Sequence, residues 1–257
     1  MESKPNLYYE THGTSGPHLL MVHGFLSSRA QWLPNLEALE KFCRPVIIEL
    51  FGHARSPSPS DLEMYSPKNY ALEFEKIREQ LNIEKWFICG QSLGAALTFR
   101  YVLTHPEQVL GHIFTNSRSA LNDESFEEGT RRLVELLNKE GRAIIEQLPL
   151  HPGKTKRIPV EVKDALIKDI EMIDLEGFAN TAQYTTVPSS VRTIVHKNSV
   201  PTLLIAGKYD KLFQRFMDEA PDLVPHLEMI VVEAGHAVNI GAAEEFNAAV
   251  ERFMKVL

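Results

Sequence analysis

Residues 86–97 read Trp86-Phe87-Ile88-Cys89-Gly90-Gln91-Ser92-Leu93-Gly94-Ala95-Ala96-Leu97. The run Trp86–Cys89 is short and apolar without alternation, which predicts a strand covered on both faces. The next stretch, Leu93 to Leu103, carries Ala95, Ala96, Leu97, Phe99 and Val102 and predicts a helix that stops at Pro106. Gly90-Gln91-Ser92-Leu93-Gly94 therefore spans a tight strand-to-helix turn and matches G-x-S-x-G. A serine on such a turn needs unusual backbone angles. Small residues on either side let strand and helix approach while the hydroxyl stands exposed. The helix N-terminus also favours negative charge developing nearby. Ser92 is thus the candidate nucleophile; the alternative is a plain glycine-rich turn.

Outward from this turn, similar short runs recur at Leu19–Val22, Val46–Ile48, His112–Thr115, Thr202–Ala206 and Met229–Val232, and Leu7–Glu10 alternates as an edge strand would. Helical spacing fills the gaps. Asn69 to Leu81 places Leu72, Ile77 and Leu81 on one face, and Ala242 to Val256 places Phe246, Val250 and Phe253 on one face. Strands alternating with helices imply right-handed crossovers and an open α/β sheet. One stretch, Ala120 to Val195, shows helix patterns only: Phe126, Thr130, Leu133 and Leu137, then Val162, Leu166, Ile170 and Ile173, with the polar loop His151 to Arg157 between them. This all-helical insertion is expected to be a lid. It divides the chain into a core, 1–119 with 196–257, and a lid, 120–195.

The 257 residues carry a net charge of −7, with 44% hydrophobic and 24% charged residues, an ordinary globular balance. The acidic excess speaks against nucleic acid as a main partner. Two cysteines, Cys43 and Cys89, are expected to be buried small hydrophobes and not a disulfide framework. No signal-peptide pattern opens the chain, and no apolar run approaches the length of a membrane span, so a soluble, cytoplasmic protein is expected. No histidine–carboxylate spacing suggests a metal site, and no G-x-G-x-x-G or P-loop implies a nucleotide cofactor.

A serine hydroxyl is a poor nucleophile until a base takes its proton. Of ten histidines, His236 follows the strand Met229–Val232 through Glu233-Ala234-Gly235, at the strand's carboxyl edge, where open α/β sheets bind ligands. Asp210 leaves the preceding strand through Gly207-Lys208-Tyr209, ahead of the rivals Asp218 and Asp222 in the next helical segment. A carboxylate there would fix the imidazole tautomer and stabilise the imidazolium. The backbone N–H groups of Phe25, in His23-Gly24-Phe25, and of Leu93 are the candidate oxyanion donors. His23 is expected to pack and hydrogen-bond locally.

With these pieces in place the whole chain resembles the α/β-hydrolase superfamily. The likeness rests on His23-Gly24-Phe25, on Glu49-Leu50-Phe51-Gly52-His53-Ala54-Arg55-Ser56, on Gly90–Gly94, on Gly207–Asp210 and on Gly235-His236. It implies an eight-stranded, mostly parallel sheet with helices on both faces, a helical lid after the sixth strand, and no cofactor. It also implies Ser92, Asp210 and His236 as a triad, with Phe25 and Leu93 as oxyanion hole. The chain departs from the family's pattern at Glu49, where an aspartate is usual, and at Ala54 and Ala95, where glycines are common.

The resemblance leaves the substrate open among small molecules. A small carboxylic ester or lactone is the leading expectation. The alternatives are a carbon–carbon bond hydrolase or a menaquinone-pathway-type lyase acting on an anionic substrate, or a receptor-like member that holds a ligand. Arg118, after His112–Thr115, could clamp a substrate carboxylate; a surface arginine, ion-paired or solvated, is the competing reading.

Overall fold

The computed structural model describes residues 6–155 and 158–257. Each apolar run is a strand: β1 Tyr9–Thr11, β2 His18–Val22, β3 Arg44–Ile48, β4 Trp86–Gly90, β5 Val109–Thr115, β6 Thr202–Gly207 and β7 Leu227–Val232. They form one sheet in the order β1-β3-β2-β4-β5-β6-β7. β1 runs antiparallel to β3, and every other pair is parallel. Seven strands occur among the described residues where the family likeness implied eight. At the β1 edge a single antiparallel strand precedes β2 among the described residues.

Eleven α-helices accompany the sheet among the described residues. Those flanking the sheet are α1 Leu33–Leu39, α2 Pro67–Gln80, α3 Leu93–Thr104, α9 Gln214–Leu223, α10 Val238–Gly241 and α11 Ala243–Val256. Strand alternation splits the core into two layers. Leu20 and Val22 face Tyr70, Phe74, Leu97 and Tyr101 of α2 and α3. Leu19 and Met21 face Trp32, Leu39, Phe246 and Val250 on the opposite side. Because both faces are covered, β2 to β6 read as nearly unbroken apolar runs. β7 is an edge, and Met229 and Val231 are exposed on it.

On α2 the buried face is Tyr70, Phe74 and Ile77, with Leu81 packed against it. Leu72, expected on that face, is exposed. At about 100° per residue, Leu72 stands roughly 200° around the helix from Tyr70, so burying the aromatic pair turns Leu72 outward.

Between β5 and β6 the described residues form helices joined by loops, without a strand: α4 Arg118–Leu121, α5 Glu127–Glu140, α6 Ala143–Gln147, α7 Val160–Glu171, α8 Leu175–Asn180, and a π-helical turn at Thr181–Thr186. Leu137, Ile144, Ile145, Ile170, Ile173 and Phe178 pack together with Leu26. The Phe178 ring stacks on Phe25 at 4.4 Å. Asp169 of α7 anchors the segment to the sheet loops: it accepts from the Ser28 hydroxyl at 2.7 Å and from Arg55 at 2.8 Å. Arg55 also donates to Glu49 at 2.8 Å, so the guanidinium bridges two buried carboxylates. Of the polar loop in this segment, Lys156 and Arg157 lie outside the described residues.

Candidate active site

The site follows from strand order. β2 has β3 on one side and β4 on the other, so the chain reverses its winding between β2 and β4. Such a switch opens a crevice at the carboxyl ends of the two strands. Val22 and Gly90, near those ends, are register partners. The loop His23-Gly24-Phe25 and the turn carrying Ser92 therefore meet.

Ser92 has φ 52° and ψ −116°, a conformation costly for a residue with a side chain. Close packing holds it there. A Cβ on Gly90 would stand 2.5 Å from the Ala95 Cα, and one on Gly94 would stand 2.2 Å from the Val22 carbonyl oxygen. Glycine at both positions lets α3 start directly behind β2 and β4. The hydroxyl of Ser117 donates to the Ser92 carbonyl at 2.6 Å and clamps the turn from the end of β5.

His236 Nδ1 lies 2.7 Å from Asp210 Oδ2. An ionised carboxylate can only accept, so Nδ1 carries the proton and Nε2 presents its lone pair. Burial alone would raise the Asp210 carboxyl. The hydrogen bond and charge of His236, the Asn116 amide and the Leu212 N–H outweigh that, and the group is held below its ordinary value. Asn116 is fully buried and makes three bonds: its amide donates to Asp210 Oδ2 at 3.0 Å and to the Gly207 carbonyl at 3.4 Å, and its oxygen accepts from Gly207 N–H at 2.9 Å.

Ser92, His236 and Phe25 line one small chamber of about 80 Å³. No hydrogen bond joins Ser92 to His236 among the described residues. Such bonds are commonly long before substrate closes a site. The chamber abuts a larger cleft of about 450 Å³, with His236, Ala237, Ile240, Leu150 and Ile158 as shared wall. No backbone or side-chain acceptor engages Phe25 N–H or Leu93 N–H among the described residues. Leu93 is the first residue of α3, where an N–H has no partner within the helix.

Two buried histidines shape the Phe25 loop. His23 Nδ1–H donates to the Gly24 carbonyl at 2.7 Å, while Nε2 accepts from Leu50 N–H at 3.0 Å. His53 Nδ1–H donates to the Phe51 carbonyl at 3.0 Å, and Nε2 accepts from Leu26 N–H at 3.3 Å. Burial pulls His23 down to about 3 and His53 down to about 4, so both are neutral at physiological pH. Both are bound on each ring nitrogen, whereas His236 Nε2 has no hydrogen-bond partner among the described residues, and His236 lines the chamber with Ser92.

Arg118 stands apart from Ser92, Phe25 and His236. It opens α4, its guanidinium lies 5.6 Å from the Phe126 ring centre, and it does not line the chamber. The end of β5 reaches Asp210 and Ser92 through Asn116 and Ser117. Sequence reading passed over these two because an amide and a small hydroxyl carry no catalytic motif; their place just after an apolar run was the available signal. Among the described residues no cluster could hold a metal ion, and no helix is long and apolar enough to cross a membrane.

A strand-borne serine on a strained turn and a carboxylate-tethered histidine at the sheet's carboxyl edge define a class, and comparison agrees. The family model described as the alpha/beta hydrolase fold matches residues 17–243, and the chain belongs to that family. A Bacillus subtilis (strain 168) protein provisionally named 2-succinyl-6-hydroxy-2,4-cyclohexadiene-1-carboxylate synthase is 25% identical over 247 residues, 92% of this chain and 89% of the relative. Carboxylesterase YbfK from the same organism is 26% identical over 250 residues, 93% of this chain and 80% of the relative. The enol-lactonase of Burkholderia xenovorans LB400 superposes with a TM-score of 0.82 at 19% identity, over 97% of this chain and 96% of that one, a likeness of fold.

Proposed function

We propose that this α/β hydrolase cleaves a small carboxylic ester or lactone through an acyl-enzyme on Ser92. Ser92 Oγ attacks the carbonyl carbon as its proton passes to His236 Nε2. The tetrahedral oxyanion is held by the N–H groups of Phe25 and Leu93. The carbon–oxygen bond to the alcohol breaks, and the imidazolium gives its proton to the departing oxygen. Water, deprotonated by His236, then attacks the acyl-enzyme and releases the acid. Asp210 stays ionised throughout and holds the imidazole tautomer. The helical segment 120–195 acts as a lid on the core formed by 1–119 and 196–257, with Leu150, Pro152, Ile158 and Leu166 forming the chamber wall that faces the core. No metal or cofactor enters this chemistry.

The observation that carries the proposal is the 2.7 Å bond from His236 to a buried Asp210, with that imidazole and Ser92 on the wall of one chamber. The name of the carboxylesterase relative supports the ester substrate. The synthase-named relative favours a second reading, elimination or carbon–carbon chemistry on a carboxylate substrate. Against it, the described residues lining the chamber include no lysine or arginine. A fluorophosphonate probe tests the nucleophile: labelling at Ser92 is expected, together with a loss of ester turnover on the order of 10⁴-fold in Ser92→Ala. An unlabelled Ser92, or an alanine variant with full turnover, rejects the mechanism.

A further inference from the structure

The chamber beside Ser92 is small, and its walls are mostly apolar. Phe25, Leu26, Leu166 and Ile240 supply much of the lining, and Gln31 and Gln91 are engaged elsewhere. Gln31 accepts from the Ser27 hydroxyl at 2.9 Å and donates to Asn239 at 3.4 Å, and Gln91 donates to the His236 carbonyl at 3.4 Å. The adjoining cleft is more than five times larger, about 450 against 80 Å³, and more varied, with His151, Lys154 and Glu233 on its wall.

The two spaces divide the substrate between them. Ser92 and Phe25 line only the small chamber, and His236 lines both. The carbonyl carbon must sit at Ser92 with its oxygen toward Phe25. The departing oxygen must face the imidazole that protonates it, on the side that opens into the large cleft. The acyl substituent is left with the small chamber. An apolar cavity of about 150 Å³ takes a benzene ring, so one of about half that volume takes roughly three or four non-hydrogen atoms.

One wall of the chamber comes from α7. Leu166 is buried against Ala30, Val162 and Ile240. Three residues on, Asp169 ties the helix to Ser28 and Arg55. Leu166 therefore stands on a helix pinned to the loop that carries Phe25 and cannot easily withdraw.

We propose that this site accepts only short, neutral acyl groups, of about two to four carbons, with a bulky alcohol portion tolerated, and that Leu166 sets the acyl limit. This rests on the acyl-transfer reading above.

The test is a series of p-nitrophenyl acetate, butyrate and octanoate with the purified full chain, beside acetate esters of small and large alcohols. From butyrate to octanoate kcat/KM is expected to fall about 100-fold or more, while the choice of alcohol moves it by less than about 10-fold. Leu166→Ala should raise the octanoate-to-acetate ratio by about 10-fold, with thermal unfolding checked in parallel; the milder Leu166→Val probes the same wall should the first variant fail to fold. Octanoate turned over as well as acetate by the wild-type chain overturns the size limit while leaving the acyl-enzyme standing. An unmoved ratio in both folded variants overturns the role of Leu166. Absence of any Ser92-dependent hydrolysis across the series overturns the acyl-transfer reading and the size limit together.

Discussion

Asn116 and His236 converge on the same oxygen: Asp210 Oδ2 receives the asparagine amide at 3.0 Å and the imidazole Nδ1 at 2.7 Å. The asparagine also closes a loop with both backbone groups of Gly207, the last residue of β6. The neighbouring strand end thus orients the carboxylate, and the carboxylate orients the His236 imidazole. Asn116→Ala is expected to lower kcat by about 10- to 100-fold through misorientation of His236, and to cost about 1–3 kcal/mol because the Gly207 N–H loses its buried acceptor. Steady-state kinetics and urea unfolding separate the two effects. Wild-type kcat in a destabilised variant would show that Asn116 supports the fold alone.

Acid sensitivity should come from the neutral buried histidines. Burial holds His23, His53 and His112 at about 3, about 4 and about 3, against an unfolded value near 6.5. The unfolded chain therefore binds more protons below pH 6.5, and stability must fall as pH drops from about 6.5 toward 4. Each such histidine adds a slope of about 1.4 kcal/mol per pH unit at most. His112 lies away from the chamber, between Phe99 and Phe114, with Nε2 2.9 Å from the Thr98 hydroxyl. In His112→Phe the slope of unfolding free energy between pH 4.5 and pH 6 should be shallower by up to that amount. An unchanged slope would place the acid sensitivity elsewhere.

The Asp169 anchor gives a stability prediction distinct from substrate range. Asp169→Ala leaves the buried Ser28 O–H and one arm of the part-exposed Arg55 without an acceptor. Glu49 keeps Arg55 partly compensated, so the expected cost is about 2–3 kcal/mol, below that of a fully orphaned buried charge. Denaturant unfolding measures it, and limited proteolysis should cut between α5 and α8 sooner than in the wild type. Equal protease resistance and stability would mean that apolar packing alone holds α7 down.

Gly94→Ala tests the close approach behind Ser92. The added methyl would stand 2.2 Å from the Val22 carbonyl oxygen, within backbone that cannot rotate away. Overpacking of this kind costs about 1–3 kcal/mol, and the shift of α3 should move Ser92 and Leu93 together. We expect ester turnover to fall more than 10-fold while much of the fold survives in circular dichroism. Full activity would show that the turn tolerates a displaced α3.

The strands and most helices were legible because their signals are local. Trp86–Cys89 suited a doubly covered strand, and Leu93–Leu103 a helix after it. Leu72 was misassigned because several helical faces are possible until the aromatic pair Tyr70 and Phe74 chooses one by packing. Arg118 drew attention as a charge at that sheet edge, yet the residues there that bond to Asp210 and Ser92 are Asn116 and Ser117. Side-chain direction at a strand end depends on where the next helix starts, which the residue types did not reveal.

Taken by itself, the order of residues determined the alternation of β and α, the Ser92 turn, and histidine and aspartate candidates at strand exits. These follow from hydrophobic period, glycine placement and chain order, which are properties of neighbours along the chain. Tertiary structure decided which groups share an oxygen, how small the chamber is, and what pins its wall. Those depend on strand order and packing between residues as far apart as Ser28 and Asp169, and no local pattern encodes such distances.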